Sequence, residues 1–160
     1  MQFPVAITSV LSWWSSAYAD HRAISVAIRF LHIAGLVVAG GTAIATDRSI
    51  LLAAADATRR PAALLTLSRS HYTVVPALAL IVATGVLMTA SDTTTFFASP
   101  VYWTKQSFVV LLLANGYGLV VAERLAKQGK PWTRLAMGSA ASLFFWFVLL
   151  LMGTLLTVAA

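Results

Sequence analysis

His32 is the residue whose type and position point most directly to chemistry. It lies within an apolar stretch, Phe30–Gly35, about 10–13 Å inside the outer end of that segment at the helical rise per residue. Ionisable groups at such depth in a bilayer are costly, and they are therefore candidates for function. A neutral imidazole can bind haem iron or copper through one nitrogen while the other donates a hydrogen bond. The residues leave one alternative open, a buried histidine bonded to a neighbouring helix.

Three further residues could complete a cofactor site at the level of His32. Arg29 lies one turn outward on the same helix face, and Lys105 begins the third apolar segment on the same side of the membrane. Met152 lies roughly 9 Å inside the fourth segment. A haem b bound by His32, with Met152 as a sixth ligand, would direct its propionates to Arg29 and Lys105. The alternatives are snorkelling cations and a methionine packed in the core.

The remaining histidines and one asparagine have other predicted roles. His71 lies at the start of the second apolar segment, on the opposite side of the membrane and roughly 20 Å from His32. The two histidines therefore cannot both be ligands of one haem iron. We expect His71 at headgroup level beside Arg69, and His21 outside the membrane. Asn115, deep in the third segment, is predicted to form a hydrogen bond between helices.

Four apolar segments must position these side chains. Hydrophobic residues make up 59% of the 160 and charged residues 10%, whereas soluble domains carry about 25% charged residues. The segments are about 23–46, 72–90, 102–122 and 135–158, each near the length that a helix needs to cross a bilayer. They must be helices, because open strands leave unpaired backbone groups in lipid. The sequence predicts an all-α, antiparallel bundle of four transmembrane helices, with residues 1–160 forming one integral membrane domain.

Residues 1–22 are predicted to form a short arm in the headgroup layer. The arm contains no Lys or Arg before Arg22, so it lacks the basic region of a cleaved signal peptide. Its tryptophans suit an interfacial helix. The apolar side chains predicted to face the membrane are those of Phe3, Val5, Ile7, Val10, Leu11, Trp13 and Trp14.

Basic residues are unevenly distributed and predict the orientation. The chain has 11 Lys and Arg, and those near the first and third connections belong on the cytoplasmic side by the positive-inside rule. Both termini then lie outside, at the periplasmic face of a bacterial inner membrane. The eight residues assigned to the cytoplasmic side are Arg48, Arg59, Arg60, Arg69, Arg124, Lys127, Lys130 and Arg134.

Two acidic residues, Asp47 and Glu123, are each followed by an arginine near the ends of the first and third segments. We interpret both as snorkelling interfacial charges, which weakens any proton-pump hypothesis. The absence of cysteine excludes disulfides, thiolate metal sites and covalent haem attachment. The net charge of +6 is not arranged as a stripe with interleaved aromatic residues, and nucleic acid is not expected as a partner.

The first apolar segment resembles the first helix of small four-helix bacterial membrane proteins, including relatives of the copper-resistance protein D domain. The resemblance lies in Leu31–Gly35, Gly40–Gly41 and Thr46–Leu51. Two stretches of the third segment, Tyr102–Lys105 and Phe108–Leu113, resemble the third helix of HemJ-type protoporphyrinogen oxidases.

In the HemJ family a histidine of the first helix and a lysine of the third are associated with haem b and activity. The resemblance implies these roles for His32 and Lys105. HemJ proteins commonly carry a Trp-x-Gly-like feature after that histidine and a further histidine in the third helix. The corresponding stretches here read Leu36–Gly40 and Asn115–Gly116.

The function predicted is that of a small b-type cytochrome-like subunit. It would transfer electrons to, or anchor, a larger membrane or periplasmic redox protein. Three alternatives stay open. They are a HemJ-like porphyrinogen oxidase, a copper-handling protein using His32, Met88 and Met152, and a structural subunit without a cofactor.

Overall fold

The computed structural model describes the backbone of residues 5–159 and the side chains of residues 10–158. Within that part of the chain every element is helical and no strand occurs. Four of the helices, α2, α3, α5 and α6, are long and apolar enough to cross a membrane, as a multi-pass membrane protein requires. The helices are α1 (Val5–Asp20), α2 (Arg22–Ala55), α3 (Arg60–Ser91), α4 (Thr93–Ala98), α5 (Pro100–Lys127) and α6 (Thr133–Ala159).

Each long helix extends beyond its predicted apolar segment, because a helix continues wherever its backbone hydrogen bonds are made, including in polar sequence. The difference is largest between α2 and α3, where the chain turns at Asp56. The Asp56 carboxylate accepts a hydrogen bond from Thr58 N at 3.0 Å and starts a 3₁₀ turn, Ala57–Arg59. Hydrogen bonds from Thr58 hold the pKa of Asp56 below its usual value. Pro61 lies in the first turn of α3, where a missing N–H costs little.

The short helix α4 was not predicted from the sequence. Its residues lie between the second and third apolar segments. Asp92 caps α4, because its side chain accepts a hydrogen bond from Thr95 N at 3.1 Å. Ser99 then caps α5, because its hydroxyl accepts a hydrogen bond from Tyr102 N. Pro100 lies in the first turn of α5.

The connections between α2 and α3 and between α5 and α6 lie at the same end of the bundle. The guanidinium of Arg60 lies over the ring of Trp132, 5.3 Å from its centroid, and Trp132 Nε1 donates to Ile50 O at 3.1 Å. We call this the basic end, since the eight residues assigned above to the cytoplasmic side follow or precede these connections. His32 and Lys105 belong to the opposite half.

Two apolar clusters fill the interior, and a polar layer separates them. On α2 the polar residues Thr46 and Asp47 stand between Ala39 of one cluster and Ile50 of the other. On α6 the buried Ser139 and Ser142 occupy the equivalent position. The cluster at the basic end consists of Ile50, Ala53, Ala63, Leu67, Leu119, Ala122, Trp132 and Leu135. The second cluster consists of Ala39, Ala77, Leu112, Trp146 and Leu149.

Small residues let the helices approach closely. A Cβ atom at Gly138 would lie 2.8 Å from the Leu119 side chain, and one at Gly35 would lie 2.9 Å from Ile81. Asn115 Nδ2 donates to Gly138 O at 3.0 Å. The predicted interhelical role of Asn115 is therefore confirmed.

Helix α1 packs against the end of the bundle that is remote from the basic end. Trp14 Nε1 donates to Leu87 O at 2.9 Å, and Ser15 Oγ donates to Ser91 O at 2.7 Å. Trp13, by contrast, is 68% exposed. Trp14 thus contacts α3, and Trp13 is the one of the two that faces outward. The side chains of Phe3, Val5 and Ile7 lie outside the described residues.

Candidate functional site

The imidazole of His32 lies at the contact between α2 and α3, where Thr84 fixes its orientation. His32 Nδ1 is 2.9 Å from Thr84 Oγ1, and the same hydroxyl is 2.7 Å from Leu80 O. A threonine has a single hydroxyl hydrogen, and the short contact assigns it to the Leu80 carbonyl. The hydroxyl then accepts the Nδ1–H of His32. This tautomer leaves the lone pair of Nε2 available to a ligand.

The remaining contacts of the His32 ring also involve α3. The ring makes a second polar contact, with the backbone of Ile81, besides the one with Thr84, and Gly85 lies against the ring edge. A Cβ atom at Gly85 would lie 3.4 Å from His32 Cε1, at the close limit of an ordinary van der Waals contact. Thr84 and Gly85 therefore fix the position of the imidazole, one by a hydrogen bond and the other by contact with the ring edge. Their signal in the sequence is a threonine beside a glycine in an otherwise apolar segment.

Lys105 approaches the same site from α5. It is half-buried, lies within electrostatic range of His32, and makes no hydrogen bond or ion pair within the described part of the chain. The fold thus places Lys105 where its charge acts on His32, although the two residues come from helices far apart in the chain and make no described contact with each other. A lysine without an acidic partner in the apolar part of a bundle is suited to binding an anionic group.

Arg29 and Met152 are placed differently from one another. Arg29 Nε donates to the hydroxyl of Tyr18 at 3.3 Å, so the arginine links α2 to the buried Tyr18 of α1. Met152 is half-buried in α6, and no contact between it and His32 is described. Met88 likewise makes no described side-chain contact with His32. The contact that defines the site as folded is therefore the one between His32 and Thr84, with Lys105 within electrostatic range of the imidazole and Arg29 one turn away on α2.

A second polar cluster lies toward the basic end, where His71 faces Glu123 across α3 and α5. The two are 3.3 Å apart, Nε2 to Oε2. Glu123 also accepts hydrogen bonds from Lys127 Nζ at 2.6 Å and from Ser68 Oγ at 2.5 Å. His71 lies thirteen residues before Thr84, about 20 Å along α3, in agreement with its predicted distance from His32.

Asp47 occupies the polar layer with almost no exposure. It is 2% exposed and faces the hydroxyls of Ser142 and Ser139 on α6. Its Oδ2 and the Oγ of Ser139 are buried without a partner in hydrogen-bond geometry. No cationic side chain among the described residues compensates its charge.

The interpretation of Asp47 and Glu123 as snorkelling charges is wrong, since Glu123 is also only 6% exposed. The helices continue past both acids, so neither one marks a helix end. The three-residue spacing of Ser139 and Ser142, which places both on one helix face, was the signal for a polar partner. The described residues contain no group of three or more His, Asp or Glu side chains that could together bind a metal ion.

Two surface grooves lie away from His32. One, of about 360 Å³, is lined by residues of α4, the start of α5 and Leu156. The other, of about 550 Å³, runs between α2 and α3 near Arg69. In comparisons with known proteins, no family model matches the chain, and no curated protein or solved structure gives a significant match.

Proposed function

We propose that this chain is a small b-type cytochrome-like subunit of the bacterial inner membrane, binding one haem b through His32. The observation that carries the proposal is the hydrogen bond from His32 Nδ1 to Thr84 Oγ1, 2.9 Å long. Histidines that bind metals commonly donate their second N–H to a fixed acceptor, which sets the tautomer and the ring orientation. The free Nε2 is then the ligand atom.

The surrounding charges fit the propionates of a haem. Lys105 has no acidic partner in the described chain, and a propionate would supply one. Arg29 keeps guanidinium donors free beyond its single bond to Tyr18. Met152 stays a proposed sixth ligand. The haem, when bound, supplies one-electron transfer, while the chain supplies the ligand, its orientation and the compensating charges.

The same proposal includes the arrangement in the membrane. We place the four long helices antiparallel, with α1 at the periplasmic interface and both termini outside. Contacts between α2 and α3 support this direction, because His32 meets Thr84 while Ala53, near the other end of α2, meets Arg60. The concentration of basic residues at one end supports its cytoplasmic location.

A subunit of this size needs a partner that delivers or accepts electrons. The loops that connect the described helices are short, and they leave no room for a second redox domain. We propose a larger membrane or periplasmic redox protein as that partner. The expected result of a mild detergent purification is co-purification of such a protein, and recovery of the bare chain alone would count against it.

The absorption spectrum of the purified protein tests the haem assignment. A Soret band is expected in the wild type, lost in His32→Ala and retained in His71→Ala, which serves as the matched histidine control. Loss in His71→Ala with retention in His32→Ala would overturn the site. Copper without haem would favour the copper-handling alternative, and the absence of both would favour a structural subunit.

A second candidate function, porphyrinogen oxidation, is favoured by one observation. His32 and Lys105, the two positions implied by the HemJ resemblance, lie within electrostatic range of each other. If the chain is such an oxidase, Lys105→Met should abolish porphyrinogen oxidation by isolated membranes while the Soret band is retained. Wild-type membranes without that activity would exclude the oxidase and leave the electron-transfer proposal standing.

A further inference from the structure

The groove between α2 and α3 carries several hydroxyl side chains and an arginine on the surface of two membrane-spanning helices. It measures about 550 Å³, and its lining includes one arginine and five hydroxyl side chains. We call it the hydroxyl groove. Its polar lining residues are Thr42, Thr46, Thr66, Arg69, Ser70 and Thr73.

Several hydrogen-bond donors in the hydroxyl groove are unused. The side chains of Thr42, Thr46 and Thr73 make no hydrogen bond among residues 10–158. Arg69 is exposed and has no acidic partner there. An arginine presents its N–H groups in a fork that matches a phosphate. The lining therefore favours a ligand rich in acceptor oxygens and negatively charged.

The position of the groove indicates that the lipid bilayer supplies this ligand. The groove straddles the end of the apolar segment of α2, at residue 46, and the beginning of that of α3, at residue 72. Lipid phosphates and glycerol esters lie at this level of a bilayer. Arg48, Arg59 and Arg60 follow at the same end and attract anionic lipid.

The floor of the groove leaves space for that ligand. A Cβ atom at Gly41 would meet nothing within 4 Å, so the surface of α2 is open at this point. A headgroup can therefore approach the helix closely.

We propose that the hydroxyl groove binds the headgroup of an anionic phospholipid. Arg69 binds the phosphate, and the hydroxyls of Thr42 and Thr73 donate to its ester and headgroup oxygens. This site is independent of the haem proposal, because it lies in the other half of the bundle from His32.

Binding of phosphatidylglycerol to delipidated full-length protein, followed by native mass spectrometry, tests the site. Phosphatidylglycerol is expected to bind more tightly than phosphatidylcholine. Arg69→Gln should weaken its binding at least about tenfold, as loss of a charged hydrogen bond predicts. Arg48→Gln is the matched control, because it removes the same charge from the same end outside the groove, and it should change binding little.

The double variant Thr42→Val and Thr73→Val keeps the side-chain shapes and should also weaken binding, which separates lost contacts from lost charge. Equal effects of Arg69→Gln and Arg48→Gln would overturn the proposal, since they would show diffuse attraction only. Equal affinity for both lipids would overturn it as well. Displacement of phosphatidylglycerol by millimolar inorganic phosphate would show an anion site without lipid preference and would also overturn it.

Discussion

His71 Nε2 of α3 lies 3.3 Å from Oε2 of Glu123 on α5, joining the second and third of the four long helices. Lys127 and Ser68 complete the coordination of the same carboxylate. An acid that is 6% exposed is thus bound by groups from both helices. Since a buried charge is costly without partners, this cluster both depends on the α3–α5 contact and stabilises it.

Glu123→Gln should therefore destabilise the bundle. The substitution removes the charge but keeps the shape, and it replaces the carboxylate that accepts from Lys127 and Ser68 by a neutral amide oxygen, a weaker acceptor. We expect a loss of about 1–3 kcal/mol in the free energy of unfolding, measured by denaturation in detergent. Asp20→Asn, at an exposed acid on α1, is the control and should have little effect. Equal stability of both variants would contradict the role assigned to Glu123.

The sequence predicted the parts of the fold that depend on local composition. Long apolar segments can only be helices in lipid, and the fold contains the four long helices that their lengths predicted. Asn115 was correctly placed between helices for the same reason. A polar side chain within an apolar transmembrane helix finds its hydrogen-bond partner mainly on a neighbouring helix.

What the sequence could not provide was the identity of partners distant in the chain. Asp47 and Glu123 were assigned to span ends because a charge terminates an apolar segment, although the helix itself continues. Their burial depends on which face meets α6 or α3, and one-dimensional hydropathy does not contain that information. The pairing of His32 with Thr84 could not be predicted for the same reason. The choice of His32 rested on its depth, that of Lys105 on its position at the same side of the membrane, and both on the resemblance to HemJ-type oxidases.

Thr84→Val tests the orientation of His32. Valine matches threonine in shape but cannot accept the Nδ1–H, so the imidazole loses its fixed tautomer. We expect haem affinity to fall about 10- to 100-fold, the usual effect of losing such a partner of a metal ligand. Haem titration of the apoprotein measures it, and Thr84→Ser, which keeps the hydroxyl, should bind nearly as the wild type does. Unchanged affinity in Thr84→Val would show that this hydrogen bond does not support ligation.

Asp47→Asn should raise stability rather than lower it. Asp47 is buried against Ser139 and Ser142 and has no described cation to offset a charge. Asparagine keeps the size and can hydrogen bond with both serines, but it removes the cost of a buried carboxylate. We expect a gain of about 1 kcal/mol in the free energy of unfolding, on the scale of a single buried polar interaction. A loss of stability, or of electron transfer at full haem content, would instead indicate that the carboxylate itself is required.

Trp132 should be the most sensitive aromatic position at the basic end. Its Nε1 donates to Ile50 O at 3.1 Å, Arg60 lies over its ring, and it is only 8% exposed. Trp132→Phe removes the hydrogen bond and leaves the Ile50 carbonyl without its side-chain donor, at an expected cost of about 1–3 kcal/mol. Trp132→Ala also opens a cavity and should cost about 3–5 kcal/mol.

Trp103→Phe is the matched control for this experiment. Trp103 Nε1 also donates to a backbone carbonyl, Phe97 O at 3.0 Å, but the side chain is 54% exposed. Because exposed groups regain hydrogen bonds when a partner is lost, this substitution should cost less than Trp132→Phe. The comparison is made by denaturation of both variants in the same detergent. If the two substitutions lower the free energy of unfolding equally, burial of Trp132 against α2 does not stabilise the basic end. The hydrogen bond to Ile50 is then of minor importance.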